Sequence, residues 1–219
     1  METGFLSSKI EANLKVPREK KRDYIGASQI GSPCMRQTWY EVNGELGLPV
    51  PPKLQRTFEI GKRLEGLVIS VLEEAGFSLI KPDEFNHYLD QFDKDVEFFR
   101  GHCDAILVEP NAILEIKTAN DSSFNLFVKK GLKSWSPRYY SQLQAYMGMS
   151  EINLGNLICI NKDTSELHDE FIKFDPSFYE EMKQKAISIK ESLVEPPKVN
   201  NSPYFFLCRM CKFREECHK

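Results

Sequence analysis

The sequence lacks the features that mark membrane-spanning or secreted chains. No apolar run reaches the roughly 18 residues that a membrane-spanning helix needs. The first twenty residues contain no apolar core of a secretory signal. The formal net charge of -3 provides no chain-wide basic footprint for nucleic acid. We therefore expect a cytoplasmic protein that would bind any nucleic acid through local basic patches.

What is present is the composition of an ordinary globular domain. The chain has 219 residues, of which 41% are hydrophobic and 28% charged, and this predicts a single domain over residues 1–219. Two local basic patches occur, and a solvated surface is the simpler interpretation of each. The first comprises Lys15, Arg18, Lys20, Lys21 and Arg22. The second places Lys129, Lys130 and Lys133 among the aromatic residues Phe124, Phe127, Trp135, Tyr139 and Tyr140.

The order of hydrophobic patterns predicts an α/β fold, with a mainly antiparallel sheet flanked by helices. Helices are expected at 28–43, 53–75, 122–130, 138–149 and 176–194. Strands are expected near 78–89, 96–108, 112–118, 153–161 and 167–174. In the helix over 53–75, one stripe at spacings of three and four is predicted to face inward: Leu54, Phe58, Gly61, Glu65, Val68 and Leu72.

Two neighbouring candidate strands carry charged residues in an apolar setting. Asp104 lies in the first strand, and Glu115 and Lys117 lie in the second. Pro110-Asn111 between the two apolar runs predicts a hairpin. Because side chains alternate between the faces of a strand, Glu115 and Lys117 share one face.

The register of this hairpin decides whether Asp104 and Glu115 face the same side. Directly opposite residues of an antiparallel pair share a face, so Asp104 must lie opposite Glu115 or Lys117 and not opposite Ile116. We expect a two-residue loop, which places Asp104 opposite Lys117 and diagonal to Glu115. Both carboxylates would then be within reach of one cation.

Two carboxylates and a lysine on adjacent strands suit metal-assisted phosphodiester hydrolysis. Carboxylate oxygens are ligands for Mg²⁺ or Mn²⁺, which polarises the phosphate and activates a water. Lys117 could orient that water or stabilise the charge that develops on the phosphate. The alternative is that Glu115 and Lys117 form the exposed face of an edge strand.

The pattern resembles the core of the PD-(D/E)XK nuclease superfamily. The shared features are Gly101-x-x-Asp104, a hairpin and Glu115-x-Lys117. Tyr139, Gln142 and Tyr146, which share one helix face, resemble the Tyr-x-x-Gln-x-x-x-Tyr motif of the RecB-like branch. The resemblance implies a restriction-endonuclease-like core.

Roles for further residues follow from this resemblance. Gly61-x-x-x-Glu65 fits a helix motif that supplies a metal ligand, although the iron–sulfur members more often carry His at the second position. The resemblance implies that Glu65, Asp104, Glu115 and the Ile116 carbonyl hold the metal. Gln142 would join the catalytic set. Residues expected to contact the substrate are Tyr139, Tyr146, Lys129, Lys130 and Trp135.

The six cysteines point to metal binding rather than to disulfides in a cytosolic chain. Cys208, Cys211 and Cys217 are close in sequence at the C-terminus. With Cys34 near the start, they resemble the iron–sulfur staple of RecB-like nucleases, a group that includes the CRISPR-associated adaptation nuclease and the AddB nuclease domain. Four thiolates hold either a [4Fe–4S] cluster or Zn²⁺, and the resemblance favours the cluster. Cys103 and Cys159 lie in apolar strands and are predicted to be buried core thiols.

The leading hypothesis is a Mg²⁺- or Mn²⁺-dependent deoxyribonuclease, an exonuclease acting on single strands or DNA ends. One alternative is a non-catalytic iron–sulfur DNA-binding module, and another is a zinc-stapled interaction protein whose Glu-x-Lys is accidental. The resemblance implies the cytoplasm of a bacterial, archaeal or phage-infected cell. It also implies assembly with recombination or CRISPR-adaptation proteins, or as a homo-oligomer.

Overall fold

The computed structural model describes residues 3–13, 23–43, 48–82 and 90–219. The helices in these ranges are α1 (Phe5–Asn13), α2 (Ala27–Ile30), α3 (Met35–Asn43), α4 (Pro52–Glu74), α5 (Asp121–Lys130), α6 (Leu132–Trp135), α7 (Pro137–Ser150), α8 (Pro176–Glu191), α9 (Phe206–Arg209) and α10 (Arg214–Cys217). The strands are β1 (Ile25–Gly26), β2 (Leu79–Ile80), β3 (Asp90–Phe92), β4 (Phe99–His102), β5 (Ala105–Leu107), β6 (Ala112–Ala119), β7 (Leu154–Asn161) and β8 (Leu167–Lys173).

The strands form two sheets. The larger has the order β2-β5-β6-β7-β8, in which β6 and β7 are parallel and the other neighbours are antiparallel. The smaller has the order β1-β4-β3, with β1 parallel to β4 and β3 antiparallel to it. The predicted mixed, mainly antiparallel sheet flanked by helices is therefore confirmed.

β6 lies at the centre of the larger sheet because its side chains are apolar on both faces. Residues 112–116 are all buried, as expected for a strand covered on both sides. Leu114 and Ile116 belong to an apolar cluster that includes Val68 of α4. Ile113 belongs to a second cluster with Leu143 of α7. The sheet is thus sandwiched between α4 on one face and α7 on the other.

The predicted strand over 96–108 is wrong as a single element. It is two strands, β4 and β5, which belong to different sheets and are separated by Cys103 and Asp104. Likewise, the predicted helix over 28–43 is interrupted between Ile30 and Met35. Proline at position 33 explains that interruption, because its ring disfavours helical backbone before it and removes a donor.

The hairpin register keeps Asp104 and Glu115 on the same side, as expected, but the loop is longer than expected. Leu107 lies opposite Ala112 and Ala105 opposite Leu114, so four residues form the turn instead of two. Continuing this register places Asp104 opposite Glu115, whereas the two-residue loop would have placed it opposite Lys117.

The inward stripe predicted on α4 is only half correct. Val68 is buried and Leu72 packs against the cluster below the sheet. Leu54 and Phe58, by contrast, are 39% and 58% exposed. The first turns of α4 therefore extend beyond the apolar cluster that contacts Val68 and Leu72.

Some expectations cannot be compared with the structure. The basic patch from Lys15 to Arg22 and most of the strand predicted over 78–89 lie outside the described residues. Within the described ranges, no helix is both long enough and apolar enough to cross a membrane.

Candidate active site

Glu115 is a buried carboxylate at the centre of the molecule. It is 2% exposed, which rules out the interpretation of Glu115 and Lys117 as an exposed edge-strand face. One carboxylate oxygen accepts hydrogen bonds from Lys117 and, at 2.8 Å, from Gln142. The other oxygen, Oε2, is buried and has no hydrogen-bond partner among the described residues. A buried acceptor without a partner is costly, so this oxygen is suited to a cation.

The groups around Glu115 shift its pKa in opposite directions. Burial raises the pKa of Glu115, Lys117 lowers it and the carboxylate of Asp104 raises it further, to about 8. Burial lowers the pKa of Lys117, but Glu115 and Asp104 outweigh this effect and raise that pKa to about 12. Lys117 therefore stays charged at neutral pH, and Glu115 holds its proton to a higher pH than an ordinary glutamate does unless further positive charge is present.

Asp104 lies where the two sheets diverge. Its Oδ2 accepts a hydrogen bond from the backbone N–H of Ile116 at 2.7 Å, which fixes the carboxylate against β6. Burial raises the pKa of Asp104, and the Ile116 N–H and Lys117 oppose that rise. The break between β4 and β5 thus turns this carboxylate towards the strand that carries Glu115.

Glu65 reaches the same region from α4. Burial raises its pKa first and the carboxylate of Asp104 raises it further, while Lys117 and Lys62 lower it. Glu65 also raises the pKa of Glu115. The carboxylates of Glu65 on α4, Asp104 between β4 and β5, and Glu115 on β6 are therefore close enough to raise pKa values among themselves, which is the effect of neighbouring like charges.

Helix α7 supplies the polar side chains above Glu115. Gln142 donates its Nε2–H to Glu115 and also to the hydroxyl of Tyr146, at 2.8 Å each. Tyr146 is buried against the backbone of Gly101, where an added Cβ would lie 2.5 Å from the tyrosine ring. Only glycine fits at that position of β4, which gives a physical reason for the Gly in Gly-x-x-Asp.

Tyr139 contacts Lys117 instead of standing free at the surface. The Lys117 ammonium lies 5.0 Å from the centre of the Tyr139 ring, a cation–π distance. Trp135 packs edge-on against Tyr139 and stacks on Phe127. Tyr139 therefore packs against Lys117, and Trp135 supports Tyr139.

The remaining predicted substrate residues lie elsewhere on α5. Lys129 and Lys130 are exposed in the last turn of that helix. The helix dipole is sufficient to make positive charge favourable at that end of α5.

The carboxylates fit a divalent cation by their chemistry. Glu65, Asp104 and Glu115 offer oxygen ligands, and Oε2 of Glu115 is buried with no hydrogen-bond partner in the ranges that the structure describes. In the described residues, however, no group of three or more His, Cys, Asp or Glu side chains is gathered in a metal-binding geometry. Lys117 instead pairs directly with Glu115.

The four cysteines predicted to form a cluster also fall short of a formed metal site. All four, Cys34, Cys208, Cys211 and Cys217, nevertheless line one cavity of about 30 Å³ that is partly open to solvent. Cys103 and Cys159, predicted to be core thiols, are buried in the apolar cluster next to α7. The structure therefore separates the six cysteines into the two groups that the sequence indicated.

Arg36 is a residue of this cavity that the sequence did not single out. Its guanidinium forms an ion pair with Glu195 at 2.7 Å and lies 4.0 Å from the sulfur of Cys217. It also donates to the carbonyl of Pro196. These partners are about 160 to 181 positions away, so no local pattern could have indicated them.

Comparisons with known proteins give structural but not sequence matches. No family model and no curated protein matches the chain. The structure is similar to an alkaline exonuclease (LHK-Exo) from Laribacter hongkongensis, with a TM-score of 0.59 and 15% identity over 77% of this chain and 87% of that chain. It is also similar to SSO0001, with a TM-score of 0.57 and 22% identity over 99% and 96% of the two chains.

A phage-related exonuclease from Haemophilus somnus 129PT gives a TM-score of 0.53 and 15% identity over 72% of this chain and 78% of that chain. At such low identities the likeness shows the fold. This chain has the fold of these exonucleases.

Proposed function

We propose that the protein is a metal-dependent DNA exonuclease of the PD-(D/E)XK type. The observation that carries the proposal is Oε2 of buried Glu115, which has no hydrogen-bond partner in the described part of the chain. Lys117 pairs with the other oxygen, and the charges of Asp104 and Glu65 raise the pKa of Glu115. A merely structural ion pair would need one carboxylate for Lys117, whereas Glu115 contacts it and the charges of Asp104 and Glu65 also interact with it. The shared fold with two exonucleases supports the same function, and one of them, LHK-Exo, has been solved in complex with dAMP.

The residues divide into binding and chemical roles. Glu65, Asp104, Glu115 and the carbonyl of Ile116 would hold one or two Mg²⁺ or Mn²⁺ ions. When bound, such an ion polarises the phosphodiester and activates a water for attack. Lys117, freed from Glu115 by the competing positive charge, would orient the water or stabilise the developing charge on phosphate.

The α7 residues act through their neighbours. Gln142 fixes the orientation of Glu115, and Tyr146 in turn fixes Gln142. Tyr139 restrains Lys117 through its ring. Such supporting groups keep ligands in a productive geometry, and losing one lowers metal affinity or activity by about 10–100-fold in known sites.

The proposal includes a second metal centre at the cysteine cavity. Four thiols line one cavity, and four thiolates are a ligand set for such a centre. Burial and the neighbouring cysteines raise the pKa of Cys208 and Cys211, so the metal would have to displace their protons. A [4Fe–4S] cluster is our first choice and Zn²⁺ the second. The centre would join residues near 34 to residues 208–217.

The test is cleavage of end-labelled linear DNA and circular DNA, with and without Mn²⁺. We expect Mn²⁺-dependent shortening of the linear substrate and survival of the circle. Asp104→Ala and Lys117→Ala should abolish cleavage while circular dichroism shows a folded protein. Full activity in either purified variant would remove that residue from the site, and metal-independent cleavage would contradict the mechanism.

A further inference from the structure

The apolar stripe of α4 continues past the residues that are buried against the sheet. Leu54, Phe58, Glu65 and Leu72 lie at spacings of four and seven and therefore on one face of the helix. Leu72 packs against the sheet and Glu65 acts on the carboxylates of the candidate site. Leu54 and Phe58 continue the same face but are 39% and 58% exposed.

The orientation of α4 shows where this exposed part lies. An added Cβ at Gly61 would be 4.0 Å from the hydroxyl of Thr118, whereas Val68 belongs to the cluster around Leu114 and Ile116. The helix therefore runs antiparallel to β6, and Phe58 lies towards the carboxyl end of that strand. Phe58 is two turns before Glu65, about 10 Å along the helix.

The charge of the same segment differs from that of the whole chain. Residues 52–63 contain four Lys or Arg residues and one Glu, while the chain as a whole has a net charge of -3. Lys53, Lys62 and Arg63 are exposed. At 3.6 residues per turn, Lys62 lies about 40° around the helix from Phe58, whereas Lys53 and Arg63 lie about 140° from it, towards the opposite side. A basic segment that presents an aromatic ring is a typical surface for single-stranded nucleic acid, in which bases stack on rings and phosphates meet cations.

We infer that the first three turns of α4 bind single-stranded DNA next to the candidate active site. Phe58 stacks on a base, and Lys62, one turn further along the same side of the helix, neutralises a phosphate of the same strand. This inference rests on the proposed function and names its substrate class. The face of a base is accessible to Phe58 in a single strand, whereas in a duplex it is covered by neighbouring base pairs.

The test measures binding of a fluorescein-labelled oligothymidylate by anisotropy in EDTA, where no metal-dependent cleavage occurs. Phe58→Ala should weaken binding by about tenfold, the effect of losing one base–aromatic stack. Phe58→Trp should bind at least as well as the wild type. The matched control is Phe77→Ala, which removes another exposed phenylalanine, 46% exposed, and should bind normally. A duplex of the same length should be insensitive to Phe58→Ala.

Three results would overturn the inference. Equal affinities of Phe58→Ala and the wild type would exclude the stack, and equal losses in Phe58→Ala and Phe77→Ala would show an unspecific effect. A change from oligomer to monomer in Phe58→Ala during gel filtration, with DNA affinity retained, would assign the stripe to a second copy of the chain. Because the titration needs no cleavage, it gives an answer even if the nuclease proposal fails.

Discussion

At the scale of single residues, the centre of the candidate site is a carboxylate in an environment that disfavours its charge. Glu115 is buried, one of its oxygens has no partner among the described residues, and two further carboxylates raise its pKa. Lys117 offsets only part of this cost. Natural proteins retain such arrangements where function requires them.

The first prediction concerns metal binding and pH. Because the pKa of Glu115 is raised to about 8, the carboxyl is largely protonated below that pH and Mg²⁺ must displace the proton. Affinity should therefore fall by up to about tenfold for each pH unit below 8 and level off above it. Isothermal titration calorimetry over this range measures both affinity and proton release. Glu115→Gln should bind weakly with a flatter pH profile, and a pH-independent wild type would contradict the assignment of Glu115 as a ligand.

The second prediction distinguishes the role of Gln142 in orienting Glu115 from the general packing of buried residues on α7. Gln142→Ala should reduce metal affinity or cleavage by about 10–100-fold, because Glu115 and Tyr146 lose the amide between them. Gln144 is the matched control, since it is also buried but bonds to Lys173 and Asp175.

Gln144→Ala should destabilise the fold by about 1–3 kcal/mol and leave metal affinity unchanged. Calorimetry with Mg²⁺ and urea denaturation measure the two effects. If both variants lose affinity equally, Gln142 has no special role in orienting Glu115.

At the scale of elements, the sequence predicts those features that depend on local periodicity. The strand β6, with Glu115 and Lys117 on one face and Leu114 on the other, follows from alternation alone. Helix α7 follows from the spacing of its motif. The division of 96–108 into β4 and β5 does not, because buried residues continue across Cys103 while partner strands in different sheets determine the break.

Burial along a helix is equally hard to predict. The stripe of α4 has one period throughout, but only its second half meets the sheet. Leu54 and Leu72 occupy equivalent positions on the helix, yet one is exposed and the other packs on the core. Helix length beyond the sheet is a property of the tertiary structure that periodicity does not contain.

The third prediction tests the contact between β4 and α7. An added methyl at Gly101 would lie 2.5 Å from the Tyr146 ring and 2.8 Å from Ala27. Gly101→Ala should therefore cost about 1–3 kcal/mol in the free energy of unfolding, and should lower cleavage by displacing Tyr146. Gly66→Ala is the control, since its added Cβ has no atom of the described residues within 4 Å apart from its own stretch of helix. In a helix interior that change should stabilise by up to about 1 kcal/mol. Urea denaturation distinguishes the two, and a neutral Gly101→Ala would show that this contact is easily relieved.

At the scale of the whole molecule, residues from both ends of the chain meet at the cysteine cavity. Cys34 follows α2, and the other three cysteines lie on the last two helices and between them. Arg36, Trp39 and Tyr40 connect α3 to residues 192–196 through an ion pair and hydrogen bonds. Spacing groups the last three cysteines and the family resemblance adds Cys34, but the supporting contacts depend on how these distant parts of the chain come together.

The last prediction is that a metal centre at this cavity stabilises the entire fold. A metal centre that joins Cys34 to Cys208 closes residues 34–208, most of the chain, into a loop. The loop-length dependence of cross-link entropy gives about 5 kcal/mol of stabilisation through lost unfolded-state entropy. Cys208→Ser should therefore lose its metal and unfold at a lower temperature. Elemental analysis with absorbance near 400 nm measures the metal and distinguishes iron–sulfur from zinc, and calorimetry measures stability.

Cys159→Ala is the appropriate control for that prediction, since Cys159 is buried in the core and away from the cavity. It should lose some packing energy but keep its full metal content. A Cys208→Ser protein with wild-type metal content would show that Cys208 is not a ligand. A variant that lost the metal without loss of stability would show that the two ends of the chain are held by Arg36 and its neighbours alone.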